Sequence, residues 1–147
     1  MSHYGIAHLV HLLCGISFIG VVFFEIVILE GMRKPLGPER MADLELALIN
    51  RAKRIMPWVV ASLFVSGVVL ATHHRVALSQ LARSSFGALL ALKILLALSV
   101  LGHFVYALTT ASDGCMNSRK FKLLHVSVGT HMLLIVVLAK AMFYVAN

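Results

Sequence analysis

The sequence predicts an all-α integral membrane protein, a single four-helix bundle over residues 1–147 with both termini outside the cytoplasm. Composition is the first reason, because a mean hydropathy of +0.92 with only 13% charged residues is far from that of a soluble domain. The second reason is the presence of four apolar stretches, each holding the roughly 20 residues that a helix needs to cross a bilayer. These stretches lie at about 5–29, 54–73, 86–110 and 121–145.

The segment between the first two stretches predicts a short amphipathic helix at the cytoplasmic surface. Pro35, Gly37 and Pro38 end helix 1, since both residue types interrupt helices. Residues 38–54 begin with proline and glutamate and end with arginine and lysine, the charge order that a helix dipole favours. An apolar stripe runs along this segment and leads into helix 2, at Met41, Leu44, Leu48 and Ile55.

The distribution of basic residues predicts the orientation of the bundle. The 1–2 and 3–4 loops carry most of them, at Arg33, Lys34, Arg40, Arg51, Lys53, Arg54, Arg119, Lys120 and Lys122. The opposite side holds only Arg75 and Arg83. Under the positive-inside rule both basic loops are cytoplasmic and both termini periplasmic, which fits a multi-pass protein of a bacterial inner membrane. The formal charge of +7 therefore reflects contact with the lipid bilayer and gives no reason to expect nucleic-acid binding.

Polar residues inside the apolar stretches fall into two layers when helix rise is converted to depth. An ionisable side chain is costly in hydrocarbon, so such residues usually face a bundle interior, a partner or a ligand. The outer layer holds His8, His11, His73, His74, Lys93 and Lys140. The inner layer holds His103, His125 and Glu25, while His131 lies near the middle of helix 4.

Two interpretations of the outer layer stay open. His11 and Lys93 either form a hydrogen-bonded pair between helices 1 and 3, or hold an anion such as a haem propionate, because a buried ammonium facing a histidine needs a negative partner. His8 lies on the same helical stripe as His11 and belongs to the same predicted site. His73 and His74 are interfacial, and are either solvated or capture a metal ion outside the membrane.

The inner layer has two interpretations as well. His103 and His125 are roughly level on different helices, so they predict either an interhelical hydrogen bond or axial ligation of a haem b. His131 is an alternative iron ligand or a proton relay. For Glu25 we expect an ion pair with Arg51 or Arg54 at the inner surface.

Short motifs in three helices resemble those of a known family. Helix 1 has His11 followed by Phe18 and Gly20, and helix 2 has Arg54 at its start and Ser66-Gly67 late in it. Helix 3 has Lys93 and then His103-Phe-Val-Tyr106. These features resemble the CopD-like (copper resistance D) membrane proteins and the related HemJ-type protoporphyrinogen oxidases. Phe18 stands where the HemJ pattern has tryptophan, so the general CopD-like resemblance is the closer one.

The resemblance implies that His11 and Lys93 are important and that the protein handles haem, porphyrin or copper. Our leading hypothesis is haem b binding through His8, His11, Lys93, His103, His125 and His131, for membrane electron transfer as a candidate oxidoreductase. Its partners would be quinone, a periplasmic electron carrier, another membrane subunit or a second copy of the chain. The alternatives are copper transport or resistance through His11, His73, His74, His103 and His125, HemJ-like protoporphyrinogen oxidation, and a structural accessory subunit without cofactor.

Overall fold

The computed structural model describes most of the chain, at residues 2–73, 79, 84–112 and 118–145, and these residues contain helices and no strand. The prediction of an all-helical chain is thus confirmed. The elements are α1, a π-helical segment, α2, α3 and α4, at His3–Phe23, Phe24–Leu29, Glu30–His73, Ser85–Ser112 and Ser118–Val145. The hydroxyl of Ser2 caps α1 by accepting a hydrogen bond from the Gly5 amide at 3.2 Å.

Gly37 separates two parts of α2. Its backbone, at φ 74° and ψ 170°, leaves the helical region, and glycine is the residue that adopts such a conformation at low cost. Beyond Gly37 the helix runs without a further break to His73. The amphipathic segment and the second apolar stretch, which we expected as two helices, are therefore one continuous helix.

Substitution of Gly37 by alanine is expected to destabilise the protein by about 1–3 kcal/mol, because an alanine side chain makes this positive φ strained. Gly31→Ala is the matched control, since neither glycine would bring an added Cβ within 4 Å of another atom and only Gly37 has a positive φ. Thermal unfolding in detergent measures both variants. Equal stability of the two would contradict the strained conformation at Gly37.

The helices pack as two antiparallel hairpins. α1 packs along the second part of α2, and α3 along α4, whereas α1 with α4 and α2 with α3 make fewer contacts. The core between them is formed by buried apolar side chains, at Phe18, Val22, Val60, Val100, Val128 and Met132. Phe18 also meets Phe104 of α3 edge to face across the bundle, at 6.2 Å between ring centroids.

Most of the outer surface is apolar, and three helical stretches are long and apolar enough to cross a membrane. They are His3–His73, Ser85–Thr110 and Arg119–Met142, the first of which turns back at Gly37 and so holds two apolar parts. Two large aromatic side chains on this surface are strongly exposed, Trp58 at 77% and Tyr144 at 75%. Such side chains are enriched at membrane interfaces, so this surface is compatible with a membrane environment.

Candidate functional site

Two histidines and two serines link α3 to α4 in the middle of the hairpin. Ser127 Oγ lies 3.1 Å from His103 Nε2, and Ser99 Oγ lies 3.2 Å from His131 Nε2. Each ring also bonds its own helix, with His103 Nδ1 2.7 Å from the Ser99 carbonyl and His131 Nδ1 2.7 Å from the Ser127 carbonyl. We call these four residues the His–Ser square.

The square fixes the tautomer of both imidazoles. A carbonyl oxygen only accepts hydrogen bonds, so His103 Nδ1 and His131 Nδ1 must carry the proton. Their Nε2 atoms then accept from the hydroxyls of Ser127 and Ser99. An imidazole whose Nδ1 is held by a carbonyl presents an oriented lone pair at Nε2, which is the arrangement found in metal-binding histidines.

A repeated motif underlies the square, and the sequence interpretation missed it. Ser-Val-x-x-His occurs at 99–103 in α3 and again at 127–131 in α4. The spacing of four places each serine carbonyl one turn before its histidine, and the valines of both copies, Val100 and Val128, are buried. A search for short repeats within the apolar stretches would have paired His103 with His131.

The inner histidine of α4 has a different partner. His125 Nε2 lies 2.5 Å from Glu25 Oε2, and His125 Nδ1 lies 2.8 Å from the Phe121 carbonyl. The Glu25 side chain is only 9% exposed, and its Oε2 has no aligned hydrogen-bond donor among the described residues despite the short distance. The expected pairing of Glu25 with Arg51 or Arg54 is therefore wrong. The Glu25 carboxylate faces the bundle interior and contacts His125 of α4, whereas Arg51 and Arg54 are exposed at the surface.

Glu25 lies in the π-helical segment, whose wider turn was not predicted. π segments inside α-helices are rare and are frequent at functional sites. The segment is contacted closely by α4, where an added Cβ on Gly129 would lie 2.8 Å from Ile26 Cδ1. Gly129 thus allows the close approach that brings His125 to Glu25.

Beyond Glu25 an ion-pair network closes one end of the bundle, which we call the basic end. Lys122 Nζ lies 2.8 Å from Glu30 Oε1, Arg33 Nε lies 3.1 Å from Glu30 Oε2, and Arg33 Nη2 lies 2.6 Å from Glu45 Oε1. Glu30 follows the first apolar stretch, and hydrogen bonding from Lys122 and then from Arg33 keeps the pKa of its carboxyl below the usual value. Glu30 therefore stays ionised and connects α4 to the turn after helix 1.

A cavity of about 10 Å³ lies between the Glu25–His125 pair and this network. It is lined by polar groups of three elements together with apolar side chains, namely Glu25, Ile26, Leu29, Glu30, Arg33, Glu45, Phe121, Lys122 and His125. A volume of about 10–15 Å³ is what one water molecule needs. The cavity therefore has polar walls and space on the scale of a single water.

At the opposite end, which we call the terminal end, His11 is fixed against α2. Its Nδ1 lies 2.9 Å from the Leu63 carbonyl and 3.3 Å from Ser66 Oγ. Gly67 leaves room for the ring, since an added Cβ would come within 3.1 Å of His11 Cε1. Lys93 of α3 and His8 are both close enough to interact electrostatically with His11. The structure thus brings the predicted His8, His11 and Lys93 into one neighbourhood.

His73 also belongs to the terminal end. Its ring lies 5.0 Å from that of Tyr4, which is 6.0 Å from the His8 ring. His73 is exposed, and its Nδ1 lies 3.0 Å from the Val69 carbonyl. His74 lies outside the described residues.

A shallow, open groove lies on the exposed face of α3 and α4, with a volume of about 540 Å³. It is lined by Gly102, His103, Tyr106, Lys120, Leu123, Leu124 and Ser127. His103 and Ser127 are members of the His–Ser square, so the groove reaches an oriented imidazole. Its volume is within the range of about 300–1,000 Å³ that small-molecule and cofactor sites occupy.

The two predicted inner ligands, His103 and His125, thus contact different partners. His103 and Ser127 are opposite each other on α3 and α4, so His103 and His125 do lie at similar levels. His103, however, meets Ser127 and His131, while His125 meets Glu25. Within the described parts of the chain, no three His, Cys, Asp or Glu side chains are grouped so as to hold a metal ion.

Comparison of the chain with protein-family models, with curated proteins and with solved structures gave no match.

Proposed function

We propose that this chain is a bacterial inner-membrane protein that binds haem b in the groove between α3 and α4 and serves membrane redox chemistry. The basic end is placed in the cytoplasm and the termini in the periplasm, because lysine and arginine concentrate in cytoplasmic loops. The CopD-like motifs of helices 1–3 support the same class of function. The observation that carries the proposal is the position of His103, an oriented imidazole lining a cofactor-sized groove.

His103 fits the role of an axial ligand. Its Nδ1–H is held by the Ser99 carbonyl, which orients the ring and leaves the Nε2 lone pair to a ligand. That lone pair accepts one hydrogen bond from the neutral Ser127 hydroxyl. If haem were bound, His103 Nε2 would hold the iron in place of this hydrogen bond, and no buried charge would be left unpaired because the Ser127 hydroxyl is neutral.

The rest of the groove suits a flat molecule with acidic groups. Lys120, at the basic end of the groove, offers a positive charge to a propionate. Gly102 has no side chain to block a planar ring, and Leu123 and Leu124 offer apolar contact. When bound, haem supplies one-electron transfer, whose potential is set by its axial ligand and surroundings.

The proposal assigns one histidine ligand and not a pair. The rings of His103 and His131 lie 5.4 Å apart between centroids, and each turns its Nε2 to a serine of the opposite helix. His125 is engaged by the Glu25 carboxylate, so the proposal leaves it out of the ligand set. With His103 as its one protein ligand, a bound haem would be able to take a further ligand from a small molecule or a second copy of the chain.

The test is an absorption spectrum and haem extraction on protein purified from membranes in mild detergent, for wild type, His103→Ala and His131→Ala. We expect a Soret band and extractable haem in the wild type, and loss of at least 90% of the haem in His103→Ala. His131→Ala is the matched control because it breaks the same square without lining the groove. Haem-free wild-type protein that also fails to bind added haemin would refute the proposal, and equal loss in both variants would refute His103 as the ligand.

Copper handling and protoporphyrinogen oxidation stay predictions from the sequence. Metal analysis of the same purified protein decides the first, since a stoichiometric copper content without haem would favour it. Turnover of protoporphyrinogen by the same preparation would favour the second.

A further inference from the structure

We infer that Glu25 and His125 form a proton-binding site that exchanges protons with water at the basic end. This site is distinct from the groove that contains His103, and it does not depend on haem binding. The inference rests on the distance between the two side chains, their burial, the π-helical segment and the cavity beside them.

The pair already holds one proton. His125 Nδ1 must carry hydrogen, because it meets the Phe121 carbonyl at 2.8 Å. His125 Nε2 and Glu25 Oε2 lie 2.5 Å apart, and two lone-pair atoms repel at that distance unless one of them carries a proton, even though the contact is not aligned as a hydrogen bond. The pair is therefore either imidazolium with carboxylate or imidazole with carboxylic acid, and is neutral overall in both forms.

Burying a pair of this kind costs folding stability, and a functional role would explain why the chain has it. An apolar pair of similar volume is often as stable as a buried ion pair, or more stable. The π-helical segment adds a second cost, since its hydrogen-bond pattern is less favourable than that of an α-helix. Both features coincide at Glu25, the second residue of the π-helical segment, whose carboxylate contacts His125 of α4.

The cavity supplies the route for the proton. It has about 10 Å³ of space and touches both members of the pair at one side and the ion-pair network at the other. One water molecule in this space would connect Glu25 to Glu30 and Lys122, whose side chains are 25% and 52% exposed. The titratable and charged groups that face the pair are thus Lys122 from α4 and Glu30, Arg33 and Glu45 from α2.

The binding step is the uptake of a second proton. A hydronium ion in the water at the basic end supplies it: one of its O–H bonds breaks and leaves a water molecule, while an O–H bond forms on the Glu25 carboxylate. His125 stays an imidazolium, so the pair changes from neutral to singly positive and no electron moves. The positive state is favoured by acid or by a negative charge that arrives in the bundle. The site is therefore suited to compensate charge during membrane chemistry, as buried carboxylate–histidine chains do in proton-moving proteins.

The experiment is infrared difference spectroscopy on the full-length protein in detergent, titrated from neutral to acid pH. We expect a carbonyl band of a protonated buried carboxyl to appear on acidification, and to shift in D₂O within the time of buffer exchange. The band should be absent in Glu25→Gln and retained in Glu30→Gln, the control carboxylate at the surface. Absence of the band in wild type, its survival in Glu25→Gln, or its failure to shift in D₂O would each overturn the inference.

A second variant keeps the test valid if Glu25→Gln folds poorly. His125→Gln retains the carboxylate and removes its ionisable partner. We expect the carboxyl band to be present already at neutral pH in this variant, because an unpaired carboxylate in an apolar interior takes up a proton. An unchanged titration in His125→Gln would show that the two side chains do not share a site.

Discussion

Replacement of His125 by leucine is expected to lower the free energy of unfolding by about 3–5 kcal/mol, the usual effect of removing one partner of a buried ion pair. The physical reason is that Glu25, whose side chain is only 9% exposed, loses its partner and must either stay charged in an apolar environment or take up a proton, and both cost free energy. Thermal or denaturant unfolding in detergent measures the effect, and His73→Leu is the control because His73 is exposed on α2.

The double variant Glu25→Leu/His125→Leu distinguishes the effect of removing the whole pair from the effect of removing one member. It is expected to be clearly more stable than His125→Leu alone, and within about 2 kcal/mol of wild type, because apolar side chains of similar volume often replace a buried ion pair at little cost. If the double variant lost as much free energy of unfolding as the two single variants lose together, Glu25 and His125 would act independently. That result would contradict their close contact.

Gly129→Leu is expected to destabilise the bundle by about 2–3 kcal/mol through overpacking. A Cβ at this position would lie 2.8 Å from Ile26 Cδ1 and 3.6 Å from Val22 Cγ1, so a full leucine must push α4 away from the π-helical segment. The same displacement would separate His125 from Glu25. The measurement is again unfolding in detergent.

Two further variants test whether overpacking against Ile26 causes the loss of stability in Gly129→Leu. Gly20→Leu is the control, since an added Cβ there meets nothing within 4 Å, and it is expected to leave stability unchanged or slightly raised by the better helix propensity of leucine. Ile26→Ala is expected to recover part of the loss in Gly129→Leu by making room for the new side chain. Full stability of Gly129→Leu alone would contradict the close approach of the two helices.

The helical architecture followed from hydropathy because four apolar stretches in a short chain leave few alternatives. The depth of each histidine was also predictable, since helix rise is constant, and His103 does lie near the level of His125. Helix rotation was not predictable in the same way. A ring's partner depends on which face each helix turns to its neighbour, and for this reason His103 meets His131 while His125 meets Glu25.

The π-helical segment was the second unpredicted feature. Its residues, Phe24–Leu29, are as compatible with an α-helix as their neighbours, so no propensity distinguishes them. The ion pair with Arg51 or Arg54 was expected from the depth of Glu25 near the inner surface. Glu25 instead contacts His125 of α4, because depth alone does not say which neighbouring helix a side chain meets.

The His–Ser square has a mechanical consequence for the second hairpin. Its two links run in opposite senses, one from the serine of α3 to the histidine of α4 and one from the serine of α4 to the histidine of α3. A slide of either helix by one turn, about 5.4 Å, would break both links together, so no intermediate register keeps one of them. The two hydrogen bonds therefore resist sliding of α3 against α4. Among the described helices, relative motion meets less resistance along the seam between the two hairpins, where the contacts are fewer.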